Sequence, residues 1–152
     1  MQELVNLLLQ KKLTIASVES LTAGLFTAMV AEVSGASQVL KGGLVTYQTA
    51  CKEEVLHLDK AQIDNYGVIS KEIADAMAQK GLKLFETDLC VSFTGNAGPD
   101  VMDDKPVGLV HMAIVYQNET YSFEKIFAGT RNTIRKQAVL YMKDELIHLI
   151  KD

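Results

Sequence analysis

Cysteine is scarce in this chain: Cys51 and Cys90 are the only two in 152 residues, and no C-x-x-C spacing occurs. A disulfide scaffold is therefore excluded as the organising device, and cytosolic free thiols are the simpler reading. Long apolar runs are missing as well. Leu7-Leu8-Leu9 stops at Gln10-Lys11-Lys12, and no stretch approaches the length of a membrane span. Without a basic start, an apolar stretch and a small-residue cleavage site, no secretory leader is expected, and the cytoplasm is the default compartment. An excess of positive charge is also lacking. Fifteen Lys and Arg against 19 Asp and Glu give a net charge of −4. That argues against a broad basic surface for duplex nucleic acid, while leaving room for a local cationic pocket around one phosphate. The three histidines, His57, His111 and His148, are scattered without H-x-x-x-H or H-x-H spacing, so no metal site is expected. No repeat, low-complexity tract or linker interrupts the sequence, and residues 1–152 are expected to form one domain.

What is present is an alternation of element types. Leu4, Val5, Leu7 and Leu8 share one face over residues 2–11, with Lys11-Lys12 at the favourable end of a helix. Residues 13–19 are rich in β-formers and read as a buried strand. The turn "SLTAG" (20–24) leads into a helix over 25–33. "SGAS" (34–37) breaks that helix, residues 43–48 read as a second strand, 50–57 as a short helix, and 60–66 as a further helical turn ended by Gly67. Ser70 caps a strong helix over 70–86. A third strand over 88–94 runs into the loop "GNAGPD" (95–100). Residues 107–116 and 120–128 flank Asn118 as a β-hairpin, and 130–150 forms a long closing helix. This order predicts an α/β fold: a layered α/β/α sandwich with a mixed β-sheet and helices on both faces.

Ligands of such sheets collect at the carboxyl ends of strands. "SLTAG" lacks the Gly-Lys-Ser/Thr of a phosphate-binding P-loop, so ATP is not indicated. Its backbone N–H groups, with the Ser20 and Thr22 hydroxyls, suit an anion at a helix start, and simple capping explains them equally. In the loop after residue 94, Gly95 and Gly98 allow close backbone approach to a ligand and Pro99 stiffens the turn. A third polar group lies around residues 37–52, where Ser37, Tyr47 and Lys52 surround one strand. A lysine acts as a general base only when it is neutral, which needs desolvation or a nearby cation. Given that, it can take a serine proton, as in hydrolases that use no histidine. Ser37 reaches such a cleft only if Gly42-Gly43 turn the chain back over Tyr47 and Lys52. Taken alone, Lys52 beside Glu53 and Glu54 reads as a solvated helix lysine.

The motifs together resemble one family. "ASVESLTAG" (16–24) is similar to A-E-S-C-T-G-G, and "VSGASQVLKGGLVTYQTACKEEVL" (33–56) to G-S-S followed by G-x-V-T-Y-x-x-x-x-K. "YGVISKEIADAMA" (66–78), "VSFTGNAGPD" (91–100) with "DKPVGLV" (104–110), and "AGTRNTIRKQAV" (128–139) follow in the matching order. On these residues the chain resembles the CinA C-terminal domain family, whose enzymatic members are nicotinamide mononucleotide deamidases. The resemblance implies hydrolysis of the nicotinamide carboxamide to nicotinic acid mononucleotide and ammonia, within pyridine nucleotide salvage. It implies a serine, tyrosine and lysine at the site, mapped onto Ser37, Tyr47 and Lys52, with Ser37 as nucleophile. Substrate contacts are expected from Ser20, Thr22, Gly24, Thr94, Gly95, Asn96, Ala97, Gly98 and Arg131. The phosphate rests either on the 20–24 turn or on Arg131. No cofactor, metal, nucleic acid or membrane is implied, and a homodimer is. A non-catalytic nucleotide-binding module of the competence or damage-inducible kind is the competing expectation, and the lack of a fused N-terminal partner favours the enzyme. The chain departs from the family pattern at Leu21, Ala23 and Ala36, at Asn96 in place of isoleucine, and at Val101-Met102 in place of Gly-Gly.

Overall fold

The computed structural model describes residues 1–151. A five-stranded sheet of order β2-β1-β3-β4-β5 runs through the molecule. Its strands are β1 (Ile15–Glu19), β2 (Leu40–Val45), β3 (Leu89–Gly95), β4 (Leu109–Tyr116) and β5 (Glu119–Ile126). β1 is parallel to both β2 and β3, and the β4–β5 hairpin adds on antiparallel, so the sheet is mixed. The hairpin closes through Gln117 and Asn118, both with positive φ, the backbone that a tight two-residue turn between twisted strands needs.

Helices cover both faces, which gives the layered α/β/α architecture. On one face lie α1 (Gln2–Lys11), α2 (Leu25–Ala31) and α6 (Arg131–Lys151). Leu4, Leu8, Phe26, Val30, Ile134 and Met142 there pack against Ile15, Val91, Phe93 and Met112. On the other lie α3 (Thr49–Glu54), α4 (Lys60–Tyr66) and α5 (Lys71–Phe85). Ile63, Ile73 and Met77 of α4 and α5 meet Ala16, Val18 and Cys90. Period-two alternation along β1 thus feeds two cores, and all five of its residues are buried. Ser70 caps α5 by accepting from Ile73 N at 3.3 Å.

One boundary differs in a way that matters. β2 begins at Leu40, three residues before the expected start, and Gly42 and Gly43 lie inside it rather than in a turn. They are required for space. A Cβ on Gly42 would stand 2.8 Å from the Phe85 ring, and one on Gly43 would collide with the Thr27 hydroxyl. Two glycines let this edge strand lie close under α2 and α5.

Among the described residues, no helix is long and apolar enough to cross a membrane, and no group of three or more His, Cys, Asp or Glu side chains is placed to hold a metal ion.

Candidate active site

The carboxyl ends of β1, β2 and β3 converge on one edge of the sheet. β1 leads to α2 on one face, whereas β2 leads to α3 on the other, and the crevice between diverging connections is where α/β sheets bind ligands. An open cavity of about 270 Å³ lies there. Ser20 and Leu21 enter it from the turn after β1, Tyr47 from the turn after β2, and Gly95, Asn96 and Ala97 from the end of β3. Asp100, Val101 and Met102 close its outer side, and Arg131 arrives from the first turn of α6.

Behind this cavity Lys52 is buried at 1% exposure. Its Nζ lies 3.1 Å from Ser20 Oγ and donates to Thr46 O at 2.7 Å. Burial disfavours the ammonium and pulls the pKa from 10.5 down to about 8, against smaller opposing effects of Cys51 and Asp103. One carbonyl orients the amine and the other direction faces a hydroxyl. A neutral lysine so held can accept the serine proton while still donating to Thr46 O.

The turn that carries Ser20 is fixed from two sides. Glu19 is fully buried, and its carboxylate accepts from Phe26 N, Thr27 N, Thr27 Oγ1 and Ser17 Oγ at 2.9–3.1 Å. This ties the end of β1 to the start of α2, with a negative group at the positive end of the helix. From above, Arg135 donates Nε to Leu21 O at 2.9 Å and an Nη to Thr22 O at 2.8 Å. With those carbonyls held outward, neither Leu21 N nor Thr22 N makes a backbone hydrogen bond to any described residue. Sequence reasoning named neither Glu19 nor Arg135. The available signals were a carboxylate ending an apolar strand, and an arginine one helical turn beyond Arg131.

The expected trio is not assembled within the chain. Ser37 lies exposed on a short 3-10 turn (Ala36–Gln38) before β2, whereas Tyr47 and Lys52 follow that strand. Six residues at about 3.3 Å each separate the two ends by roughly 20 Å. The return path needed a turn at Gly42-Gly43, and those residues are strand. Ser20 occupies the place beside Lys52 that was assigned to Ser37. Tyr47 does line the cavity, but its phenol is paired with the Arg131 guanidinium, and the residue is half exposed. It does not stand between the serine and the lysine.

The expected substrate contacts divide similarly. Ser20, Gly95, Asn96, Ala97 and Arg131 line the cavity. Asn96 spends its amide on the neighbouring loop, donating to Met102 O and Lys105 O and accepting from Met102 N. Gly98 offers its carbonyl to Arg131 at 2.6 Å. Thr94 points to the α5 face, where Oγ1 donates to Val68 O, so it serves packing. Gly24 is the residue before α2, with φ of 88°. Thr22 is buried, and its hydroxyl has no partner.

Comparison with known proteins places these features in context. The model of the CinA C-terminal domain matches residues 1–150. Relatives from Listeria welshimeri and Listeria monocytogenes, which carry the working name competence-damage inducible protein, are 40% and 42% identical over 139 residues each. The matches cover 91% and 90% of this chain but only 34% of each relative, so the chain spans about a third of their length. Among solved structures, a CinA superfamily protein from Klebsiella pneumoniae superposes with a TM-score of 0.96 at 21% identity, covering 99% of this chain and 94% of that one. A competence/damage inducible protein from Agrobacterium tumefaciens gives 0.90 at 29% identity, covering 99% and 95%.

Proposed function

This chain belongs to the CinA C-terminal domain family, and on that premise we propose that it is an amidohydrolase that converts nicotinamide mononucleotide to nicotinic acid mononucleotide and ammonia. Ser20 is the nucleophile and Lys52 its base. The observation that carries this reading is the 3.1 Å approach of a buried lysine to a cavity-lining hydroxyl. With a pKa of about 8, Lys52 is neutral in a useful fraction of molecules near neutral pH. A pyridinium cation in the cavity raises that fraction by like-charge repulsion.

Lys52 takes the Ser20 proton as Oγ attacks the carboxamide carbon. The oxyanion is assigned to the N–H groups of Leu21 and Thr22, which donate to no backbone carbonyl of the described residues, each such donor contributing roughly 3 kcal/mol of barrier lowering when well aimed. The Lys52 ammonium returns its proton to the leaving nitrogen, ammonia departs, and an acyl ester remains on Ser20. Water then attacks that ester with Lys52 again as base, releasing the carboxylate and restoring the serine. The polar mouth formed by Arg131, with Tyr47 beside it, suits the substrate phosphate, since the guanidinium also sits at the positive end of α6.

The test is ammonia release from nicotinamide mononucleotide by the purified chain. Turnover is expected, and both Ser20→Ala and Lys52→Ala should lose it. Full turnover by Ser20→Ala would overturn the assignment, and binding without turnover in the parent chain would favour a nucleotide-binding module.

A further inference from the structure

The loop on the outer side of the cavity is fixed more firmly than a rim needs to be. Asn96 is buried at 4% exposure, and its backbone is locked on both sides: N donates to Leu109 O at 2.9 Å, and O accepts from Gly108 N at 2.7 Å. From that base its side chain grips Met102 twice, accepting from Met102 N at 2.9 Å and donating to Met102 O at 3.1 Å, and also donates to Lys105 O at 2.9 Å. Asp103 and Lys105 already pin the same loop to the turn before α5, through Ile69 N at 2.8 Å and Ile69 O at 2.9 Å. The additional grip fixes one residue in particular. Yet the Met102 side chain is 52% exposed and lines the cavity beside Val101, which is 47% exposed. An apolar surface whose backbone is fixed by a buried amide and about half of which stands uncovered in the cavity is shaped for a ligand. Across the cavity stand Ser20 and Leu21. Asn96 and Val101-Met102, the two places where the sequence departs from the family pattern after β3, are the two ends of one staple.

We propose that Met102 is a specificity-determining residue, held by Asn96 so that its thioether forms the wall against which a flat aromatic ring lies when the ring's amide carbon is at Ser20. This rests on the amidohydrolase reading above. Methionine suits the task because its sulfur is polarisable and its contact with an aromatic ring is favourable. Asn96 touches no reacting atom; it is a positioning residue for Met102. The wall selects planar heteroaromatic amides over aliphatic ones, whose saturated chains gain less from a thioether.

The experiment uses the chain labelled with ¹³C at the methyl groups of its six methionines, with nicotinamide mononucleotide as the probe and the Met102 signal assigned from Met102→Leu. Bound to Ser20→Ala protein, the probe should move the Met102 methyl upfield by its ring current, and adding Asn96→Ala should shrink that shift. In the parent background, Met102→Ala should raise KM about 5-fold, the size expected for a lost sulfur–aromatic contact, with a smaller change in kcat. Turnover by the parent chain with an unmoved Met102 methyl overturns the proposal and leaves the amidohydrolase standing. A moved methyl without turnover overturns the amidohydrolase instead, and the absence of both overturns both.

Discussion

Ser20 and Ser37 invite comparison, because each sits in a small-residue turn beside a helix and each was a candidate for chemistry. Ser20 follows β1, between a buried carboxylate and an arginine clamp, with a buried amine 3.1 Å from its hydroxyl. Ser37 precedes β2, is exposed, and has none of these neighbours. The difference is strand direction. β1 and β2 are parallel, so the residue after β1 and the residues after β2 meet at one edge, while the residues before β2 are carried to the other. Closeness in sequence to Tyr47 and Lys52 told against Ser37, since the intervening residues form one straight strand. The largest expected effect follows directly. Ser20→Ala should cut ammonia release by about 10³-fold or more, as removal of a nucleophile does, while Ser37→Ala stays within about twofold, as an exposed surface change should. Equal losses in the two variants would erase the distinction.

Lys52 sharpens the comparison through pH. Its folded pKa of about 8 lies below the ordinary 10.5. The unfolded chain therefore binds more protons between those values, and stability rises with pH across that window. Below pH 8 the buried charge costs about 3 kcal/mol, and the cost fades as pH approaches 10.5. Lys52→Met should consequently abolish turnover while raising unfolding stability near pH 7 by about 1–3 kcal/mol. Denaturant melts at pH 7 and pH 10.5 should show the gain narrowing. In the parent chain, kcat/KM should rise with pH through an apparent pKa near 8, and a flat profile would remove Lys52 as base.

Arg135 comes next in size. It holds the Leu21 and Thr22 carbonyls, and Arg135→Met should lower kcat about 10-fold with KM less affected, since the lost contacts orient the oxyanion donors. Stability should fall by about 1.5–3 kcal/mol, the usual worth of hydrogen bonds from a charged donor. Lysine should restore little, because a single ammonium does not span two carbonyls as a planar fork does.

Much of the architecture was legible because its signals are local. The Ser70 cap, the hairpin at Asn118 and the β-former run of the buried strand β1 all depend on near neighbours, and those elements fall where the pattern put them. Lys52 was legible as a residue whose chemistry needs desolvation, and burial supplies it. What the pattern hid depends on distant partners. Gly42-Gly43 look like a turn until Phe85 and Thr27 are seen to occupy the space of their missing side chains. Glu19 closes a strand read as buried, but its role shows only where the start of α2 places Phe26 N and Thr27 N against its carboxylate. Asn96 looks like a ligand contact until Met102 and Lys105 take its amide.

The smallest effect lies in the backbone of the two turns. The Ser37 turn places glycine at its left-handed position, Gly35 with φ of 89°, where an added Cβ would lie 3.2 Å from Leu9 Cδ1. The Ser20 turn places Ala23 in the left-handed region, with φ of 49° and an exposed side chain. Gly35→Ala should therefore cost about 1–2 kcal/mol, combining left-handed strain with a tight contact. Ala23→Gly should relieve about 1 kcal/mol of strain, of which the freer unfolded chain takes back about half. The net gain of about 0.5 kcal/mol corresponds to a rise in Tm of about 1–2 °C. Strain held at the Ser20 turn and absent from the other is what a functional turn shows when its surroundings over-determine it. A fall in Tm for Ala23→Gly would instead mean that alanine sits at ease there, leaving Glu19 and Arg135 alone to set the shape of the turn.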